Sequence, residues 1–316
     1  MRSILRILIL LCTLGAASLS WAQAWPPATV KIVVPYPPGT EPDVLARDLA
    51  NQLARKTGKN FVVDNKPGAN SIIGTSEVAA ADGDGATLLM VDRLAIVTNP
   101  LLYSKMPYKW EDSIKPVSDL ARVNLFVAVR ANFPAQTYKE FLAYAKANKD
   151  KVNVGTGGNG HVNHIGMAMI GQAEDVHFTY VPYKGVGPAV AGLMTGEVDA
   201  VMAGGLALQP HHLAKKLRVL VSGDDARAPY LADVPHLTEA GGKTGSIPST
   251  VFALMAPGKT PDAVVAQISR AVGEIMGVAE LRKSYEARGL QVAPTSPAQT
   301  LEQMKKEAAS YERIIR

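Results

Sequence analysis

The chain has 316 residues, of which 47% are hydrophobic, 19% charged and 6% aromatic, a composition typical of a folded protein with a sizeable core. This composition excludes intrinsic disorder, a collagen-like repeat and a small disulfide-stapled scaffold. The formal net charge of +5 is not concentrated in any run of five or more like charges, so nucleic acid is not an expected partner.

The first 24 residues have the pattern of a cleaved signal peptide. A basic start, Met1 to Arg6, precedes the short apolar run Ile7 to Leu19, and Ala22-Gln23-Ala24 has the small-x-small form of a cleavage site. The apolar run falls short of the ~20 residues that a membrane-spanning helix needs. The only cysteine, Cys12, lies inside this segment. We therefore expect export to the periplasm and a mature chain that begins at Trp25 and has no thiol.

Strand-like and helix-like segments alternate along the remaining chain, which predicts an α/β fold with largely parallel sheets. In chain order, strands are expected at 30–35, 61–63, 87–91 and within 117–129, and helices at 44–57, 72–81 and 135–147. The cycle then repeats, with strands at 152–155, 177–181, 199–202 and 217–221 and helices at 164–172 and 188–195. From residue 260 the pattern is helical almost to the end.

Each half of the chain opens with a strand that feeds a glycine loop and a helix. Two such modules in tandem predict two lobes with a cleft between them. In open α/β sheets a ligand lies beyond the carboxyl ends of the strands, where these loops collect. The loops are therefore the candidate site.

The first loop runs from Tyr36 to Asp43, with Asp43 placed to cap the next helix. Gly39 allows the backbone to approach a ligand, and the N–H groups of a helix start attract an anion such as a carboxylate. A purely structural proline-rich turn is the alternative that the sequence leaves open.

The second loop, Gly155 to Gly160, satisfies G-x-G-x-x-G after a strand and before a helix. A dinucleotide site would also need an acidic residue at the end of the next strand, whereas Glu174 and Asp175 precede that strand. A small anion held by backbone N–H groups needs no such residue. We therefore expect no nucleotide cofactor.

Two further features concern histidine and arginine. His161 and His164 have the spacing of neighbours on a helix face, but no third metal ligand is visible, so no metal is expected. His161 is instead expected to donate a hydrogen bond to the ligand and His164 to act as a structural cap. Arg93 follows the strand at 87–91 and could pair with a carboxylate from the cleft wall. The alternative is an ordinary surface arginine paired with Asp92.

No G-x-S-x-G elbow, cysteine nucleophile or serine–lysine arrangement is present, so no catalytic residue is predicted. Short motifs nevertheless follow one another along the chain. They include Pro35-Tyr36-Pro37-Pro38-Gly39 with Asp43, Asn65-Lys66-Pro67-Gly68-Ala69-Asn70, Asn99-Pro100 with Leu102-Tyr103, Gly158-Asn159-Gly160 with His164, Val181-Pro182-Tyr183-Lys184-Gly185, and Ala256-Pro257-Gly258-Lys259-Thr260-Pro261. In this order they resemble the substrate-binding proteins of tripartite tricarboxylate transporters, the Bug family.

The resemblance implies a monomeric, two-lobed periplasmic binding protein of the type II-like class, each lobe a mostly parallel sheet flanked by helices. Lobe 1 would comprise 25–123 and 247–316 and lobe 2 would comprise 124–246, with hinge strands at Arg122 to Val129 and Thr250 to Ala256. Such a protein closes on a small organic acid and delivers it to the permease subunits of a membrane transporter.

The resemblance also implies a carboxylate cradle. Carried over by position, it consists of Pro38, Gly39, Thr40 and Asp43, opposed by Gly158, Asn159 and Gly160. The chain departs from the family pattern at Thr40, where a second glycine is usual, and at His161, where Ser or Thr is common. The complete candidate set for ligand binding is Tyr36, Pro38, Gly39, Thr40, Asp43, Arg93, Thr156, Gly158, Asn159, Gly160, His161 and Gly204.

The expected ligand is a small organic carboxylate, in particular an aliphatic or aromatic dicarboxylate, whose second carboxyl group would meet His161 or Arg93. Two alternatives stay open at this point. The protein could present its closed form to a membrane sensor, or, with less support, it could be a periplasmic hydrolase that uses His161 or His164 as a base.

Overall fold

The computed structural model describes residues 25–315, and the side chains of residues 25–312. The signal-peptide prediction for residues 1–24, Cys12 included, lies outside the described residues. Among the helices between residues 25 and 315, none combines the length and the apolar character needed to cross a lipid bilayer.

The described chain forms two β-sheets. The first sheet has six strands in the order β11-β4-β10-β3-β1-β2 and the second has five in the order β7-β6-β8-β5-β9. The strands of the first sheet are β1 (Thr29–Val34), β2 (Asn60–Asn65), β3 (Thr87–Asp92), β4 (Ile114–Val123), β10 (Thr250–Pro257) and β11 (Leu290–Val292). Those of the second are β5 (Leu125–Arg130), β6 (Asn153–Thr156), β7 (Thr179–Pro182), β8 (Ala200–Gly204) and β9 (Leu217–Ser222). The two-lobed α/β architecture is thus confirmed, whereas lobe boundaries at 123/124 and 246/247 stay a proposal.

Both sheets are mixed rather than mostly parallel. Strand β1 pairs in parallel with β2 and β3, and β6 pairs in parallel with β7 and β8. Strand β10 is antiparallel to β3 and β4, and β5 is antiparallel to β8 and β9. These antiparallel strands are buried almost throughout. Their sequences therefore read as continuous apolar runs, just as parallel strands do, and the sequence pattern could not tell the two apart.

Helices cover both sheets. They are α1 (Glu41–Thr57), α2 (Ile72–Ala80), α3 (Arg93–Leu102), α4 (Trp110–Ser113), α5 (Tyr138–Ala147), α6 (Val162–Glu174), α7 (Val186–Thr195), α8 (Gly205–Leu213), α9 (Asp262–Met276), α10 (Ala279–Glu286) and α11 (Pro297–Ile315). The sequence did not indicate α3 and α8, nor the short elements α4 and β11. Helices α3 and α8 each contain an internal proline, Pro100 or Pro210, which normally indicates a helix boundary.

Helix α1 shows how the sequence packs these helices onto the sheets. Leu45, Leu49 and Leu53 are spaced four residues apart and have no exposed surface. Burial of each such side chain contributes about 1.5–3 kcal/mol relative to exposure. The helix ends at Gly58, whose φ of 69° lies in the left-handed region that favours glycine. The buried leucines hold α1 in place, and its first turn lies directly after the loop that follows β1.

A buried ion triad ties α3 and α11 to the first sheet. The Arg93 guanidinium pairs with Asp119 on β4 and makes two hydrogen bonds to Glu307 on α11, of 2.9 Å from Nε and 2.7 Å from Nη2. Arg93 is 5% exposed, and Asp119 is also buried. The two carboxylates share this one cation, so its removal would leave Asp119 buried without a counter-charge.

We expect Arg93→Met to lower the free energy of unfolding by about 3–5 kcal/mol, because Asp119 and Glu307 then lose their shared counter-charge. Urea denaturation followed by circular dichroism measures the loss. Arg282→Met, at an exposed position on α10, is the matched control and should change stability by less than about 0.5 kcal/mol. A loss as small as that of the control would contradict the structural role assigned to Arg93.

Candidate functional site

A cavity of about 500 Å³ lies where the loops of the two sheets face each other. Its walls come from the loops that follow β1, β2, β6 and β7 and from the ends of β3 and β8, which are the carboxyl ends of the parallel strands. The amino-terminal end of the antiparallel strand β10 completes them. Six of the candidate residues lie on its surface: Tyr36, Thr40, Gly158, Asn159, His161 and Gly204.

The first loop is held together by Asp43. Its Oδ2 accepts hydrogen bonds from the Gly39 N–H at 2.8 Å and from Arg47 Nε at 3.0 Å, and its Oδ1 accepts one from Asn65 Nδ2 at 2.9 Å. Helix α1 begins one turn earlier than expected, with Thr40 at its N-cap position. Asp43 therefore does not cap the helix as predicted, but turns back to fix the loop. The Gly39 N–H is occupied by it.

The electrostatics of Asp43 follow from these contacts. Burial raises its pKa, but the hydrogen bonds from Arg47, Gly39 and Asn65, together with the charge of Arg47, outweigh burial and leave the pKa below its usual value. The carboxylate is therefore ionised at neutral pH and serves the loop, not the cavity.

In the glycine loop after β6, two of the backbone N–H groups donate hydrogen bonds to side chains of the following helix. The Gly157 N–H donates to Asn163 Oδ1 at 3.1 Å and the Gly160 N–H donates to His164 Nδ1 at 3.0 Å. Gly158 has a φ of 127°, which a residue with a side chain rarely adopts. Among residues 25–315, no acceptor receives a hydrogen bond from the N–H groups of Gly158 and Asn159, which lie on the cavity wall just before α6.

His161 occupies the N-cap position of α6 and lines the cavity. Its Nδ1 lies 2.9 Å from Asn163 Oδ1, and Asn163 Nδ2 donates to the Met202 carbonyl at 3.1 Å. The Asn163 N–H also lies 3.4 Å from Nδ1, which is the contact of an N-cap side chain, so Nδ1 is engaged by Asn163 in either tautomer. Burial lowers the pKa of His161 to about 4, so the ring is neutral at pH 7. The hydrogen bond from His161 to the ligand stays a prediction.

The other six candidates lie away from the cavity surface. They are Pro38, Gly39, Asp43, Arg93, Thr156 and Gly160. The expectation that Arg93 faces a ligand carboxylate is wrong, because the ion triad turns its guanidinium toward Asp119 and Glu307. The alternative pairing with Asp92 is not formed either, since the Asp92 carboxylate accepts the Leu94 N–H at 3.0 Å. Direct ligand contact by the six cavity-lining candidates stays a prediction.

Sequence reasoning gave no role to two side chains that cross the cleft. Asn70 Nδ2 donates to the Gly160 carbonyl at 3.0 Å, and Tyr103 Oη donates to the Asn159 carbonyl at 2.9 Å. Both donors belong to the first lobe and both acceptors to the glycine loop of the second. Asn70 and Tyr103 stand in motifs that carry the family resemblance, which was the one available signal. The cleft is therefore bridged by direct hydrogen bonds.

Sequence reasoning also missed two carboxyl groups on the cavity wall, Glu41 and Asp92. Burial raises the pKa of Asp92 to about 7 and raises that of Glu41 above its usual value. Within residues 25–315 no three His, Cys, Asp or Glu side chains lie close enough together to hold a metal ion.

Comparison with known proteins agrees with this geometry. Residues 45–316 match the family model described as the tripartite tricarboxylate transporter family receptor. Protein BugT of Bordetella pertussis is 28% identical, over 98% of this chain and 94% of its own length. The solved structure of R. palustris Rpa4515 with adipate is 28% identical, with a TM-score of 0.87 over 92% of this chain and 97% of its own. The periplasmic binding protein BugD is 27% identical, with a TM-score of 0.84 over the same shares.

We expect Asp43→Asn to destabilise the protein at pH 7 by about 1–3 kcal/mol, because a charge-assisted acceptor of three hydrogen bonds is lost. The folded pKa of Asp43 is depressed, so its contribution is present above the unfolded pKa and disappears as the pH falls through the folded pKa. Urea unfolding of both proteins across the acidic range should therefore show the two curves converging. Asp82→Asn, at an exposed site in the turn before β3, should show no such trend.

Proposed function

The chain belongs to the tripartite tricarboxylate transporter receptor family, a family of substrate-binding receptors and not of enzymes, and we propose that it captures a small organic carboxylate for such a transporter. The observation that carries this proposal is the pair of cavity-lining residues Gly158 and Asn159, just before α6, whose N–H groups have no acceptor among the described residues. A carboxylate would satisfy both donors and would also gain from the dipole of the helix.

The chemistry of the cavity supports a small ligand of mixed character. Apolar side chains such as Val123, Leu125 and Phe252 form part of its wall, and polar groups come from the loops and from the ends of helices and strands. This division is typical of pockets that orient a small organic molecule through a few polar contacts. Adipate, the ligand named in the structure of the R. palustris relative, is such a molecule.

We propose that binding is coupled to closure of the two lobes. The bonds from Asn70 and Tyr103 reach from the first lobe to carbonyls of the loop that would hold the carboxylate. A ligand that contacts both lobes then favours the closed state because the open state offers only part of its contacts. The proposed hinge is formed by the direct passage from β4 to β5 and by the return segment that leads into β10.

The proposed setting is the periplasm, reached through cleavage after Ala24, where the protein acts as a monomer and docks on the permease subunits. If the partner is a membrane sensor and not a permease, deletion of the gene should give a different phenotype. Deletion of the gene should abolish uptake of the bound carboxylate if the protein serves a permease. Uptake that stays normal while a transcriptional response to the same carboxylate disappears would favour the sensor.

We expect at least one C4 to C8 aliphatic or aromatic carboxylate to raise the melting temperature of the purified protein, because ligands that bind the folded state stabilise it. A thermal-shift screen followed by isothermal titration calorimetry measures this. Absence of any stabilisation across the panel, with malate and adipate included, would contradict the proposed function.

For the carboxylate that the screen identifies, Tyr103→Phe should weaken binding about three- to tenfold, since a hydrogen bond formed on closure contributes about 0.5–1.5 kcal/mol. Tyr144→Phe removes the same hydroxyl group from α5 in the second lobe, outside the cavity lining, and should leave the dissociation constant unchanged. If calorimetry shows that both variants change the dissociation constant equally, the role of Tyr103 in closure is contradicted.

A further inference from the structure

Glu41 is the first residue of α1, and its side chain extends from the first lobe across the cleft. It lies on the cavity wall against Gly204, at the end of β8 in the second lobe. The carboxyl group occupies this place because Gly204 has no side chain, since a Cβ there would overlap Glu41 Oε1. The contact therefore joins the two lobes at the ligand cavity.

The carboxyl group is not fully satisfied in this position. Oε1 is buried and has no hydrogen-bond partner among the described residues, and no ion pair to Glu41 is formed between residues 25 and 312. Burial raises the pKa of Glu41 above its usual value, and the hydrogen bonds from its own N–H and that of Ala207 offset this only in part. A buried carboxylate oxygen without a donor is costly, so a donor brought by the ligand would be strongly favoured there.

The charges around the cavity also favour a hydrogen-bond donor on the ligand over a second carboxylate. Two carboxyl groups, Glu41 and Asp92, line it, and among the described residues the only lysine or arginine on its wall is Lys184, which is exposed. His161 is neutral at pH 7, and Arg93 is committed to the ion triad. A second carboxylate on the ligand would therefore meet no buried cation, whereas an N–H-bearing nitrogen would meet the acceptor Glu41 Oε1. This conflicts with the dicarboxylate expected from the sequence.

We propose that Glu41 determines specificity by accepting a hydrogen bond from a cationic or N–H-bearing nitrogen of the ligand. The ligand class is then an aminocarboxylate. Its carboxylate binds the N–H groups of Gly158 and Asn159, and its nitrogen faces Glu41 at Gly204. This inference rests on the proposed function, from which it takes the carboxylate end, and adds the identity of the other end.

Matched pairs of compounds test the inference, because they keep the number of carbon atoms and replace one terminal carboxylate by an aminomethyl group, CH2–NH3⁺. Adipate is compared with 6-aminohexanoate, and succinate with 4-aminobutanoate, by calorimetry on the purified protein at pH 7. We expect the aminocarboxylate of at least one pair to bind at least tenfold more tightly than its diacid. Glu41→Gln keeps the side-chain volume and removes the charge, and it should reduce this preference at least tenfold.

Glu280→Gln is the control, because it makes the same change at an exposed position on α10 and should leave the preference unaltered. Circular dichroism and the melting temperature of each variant without ligand verify folding. If Glu41→Gln does not fold, the preference of the unmodified protein decides the question alone.

The possible failures are distinguishable. Diacids that bind as tightly as their amino partners, or a preference unaffected by Glu41→Gln, overturn the role of Glu41 and leave the carboxylate receptor intact. Binding of no compound from this panel or from the carboxylate screen overturns both.

Discussion

A carboxylate removed from water needs hydrogen-bond donors or a counter-charge, and this requirement organises the described structure. Asp43 receives donors from Gly39, Arg47 and Asn65, and the result is a fixed loop at the start of α1. Asp119 and Glu307 share the guanidinium of Arg93, and the result is a first lobe in which three elements are joined. The ionisable groups that build the scaffold are thus paired within it, which leaves the ligand to be recognised by other groups.

The need of a carboxylate for hydrogen-bond donors also shapes the crossing between the two sheets, which are closely connected and still leave a cleft. Only Asn124 separates β4 from β5, and it is buried. Its Nδ2 donates to Asp224 Oδ2 at 2.6 Å, and Gln291 Nε2 donates to the same oxygen at 3.1 Å. Asp224 stands just after β9, so it ties the outgoing strand of the second sheet to the crossing point. Polar contacts of this kind hold the crossing strands in place without filling the space between the lobes.

The sequence predicted most of the strand and helix positions and both loops of the site, because those features depend on local periodicity and on glycine and proline placement. It could not predict that Arg93 turns away from the cleft. The partner that decides this, Glu307, lies 214 residues further along the chain and reaches Arg93 only through the packing of α11. Nor could it distinguish Asp43 as a helix cap from Asp43 as a loop clamp, since both roles use the same residue at the same place. The importance of Glu41 depends on an absent side chain at Gly204, which only the fold brings opposite it.

The glycine loop divides its backbone groups among three tasks. The N–H groups of Gly157 and Gly160 fix the loop through Asn163 and His164. The carbonyls of Asn159 and Gly160 accept the bonds from Tyr103 and Asn70 that bridge the cleft. The N–H groups of Gly158 and Asn159 are the ones that no described acceptor uses. In the proposed function, the carbonyls serve closure and the N–H groups serve the ligand, so the same short segment would sense an anion and join the lobes without competition between the two. A ligand bound at these N–H groups would lie beside the bridging bonds and would stabilise the closed state at the place where that state is formed.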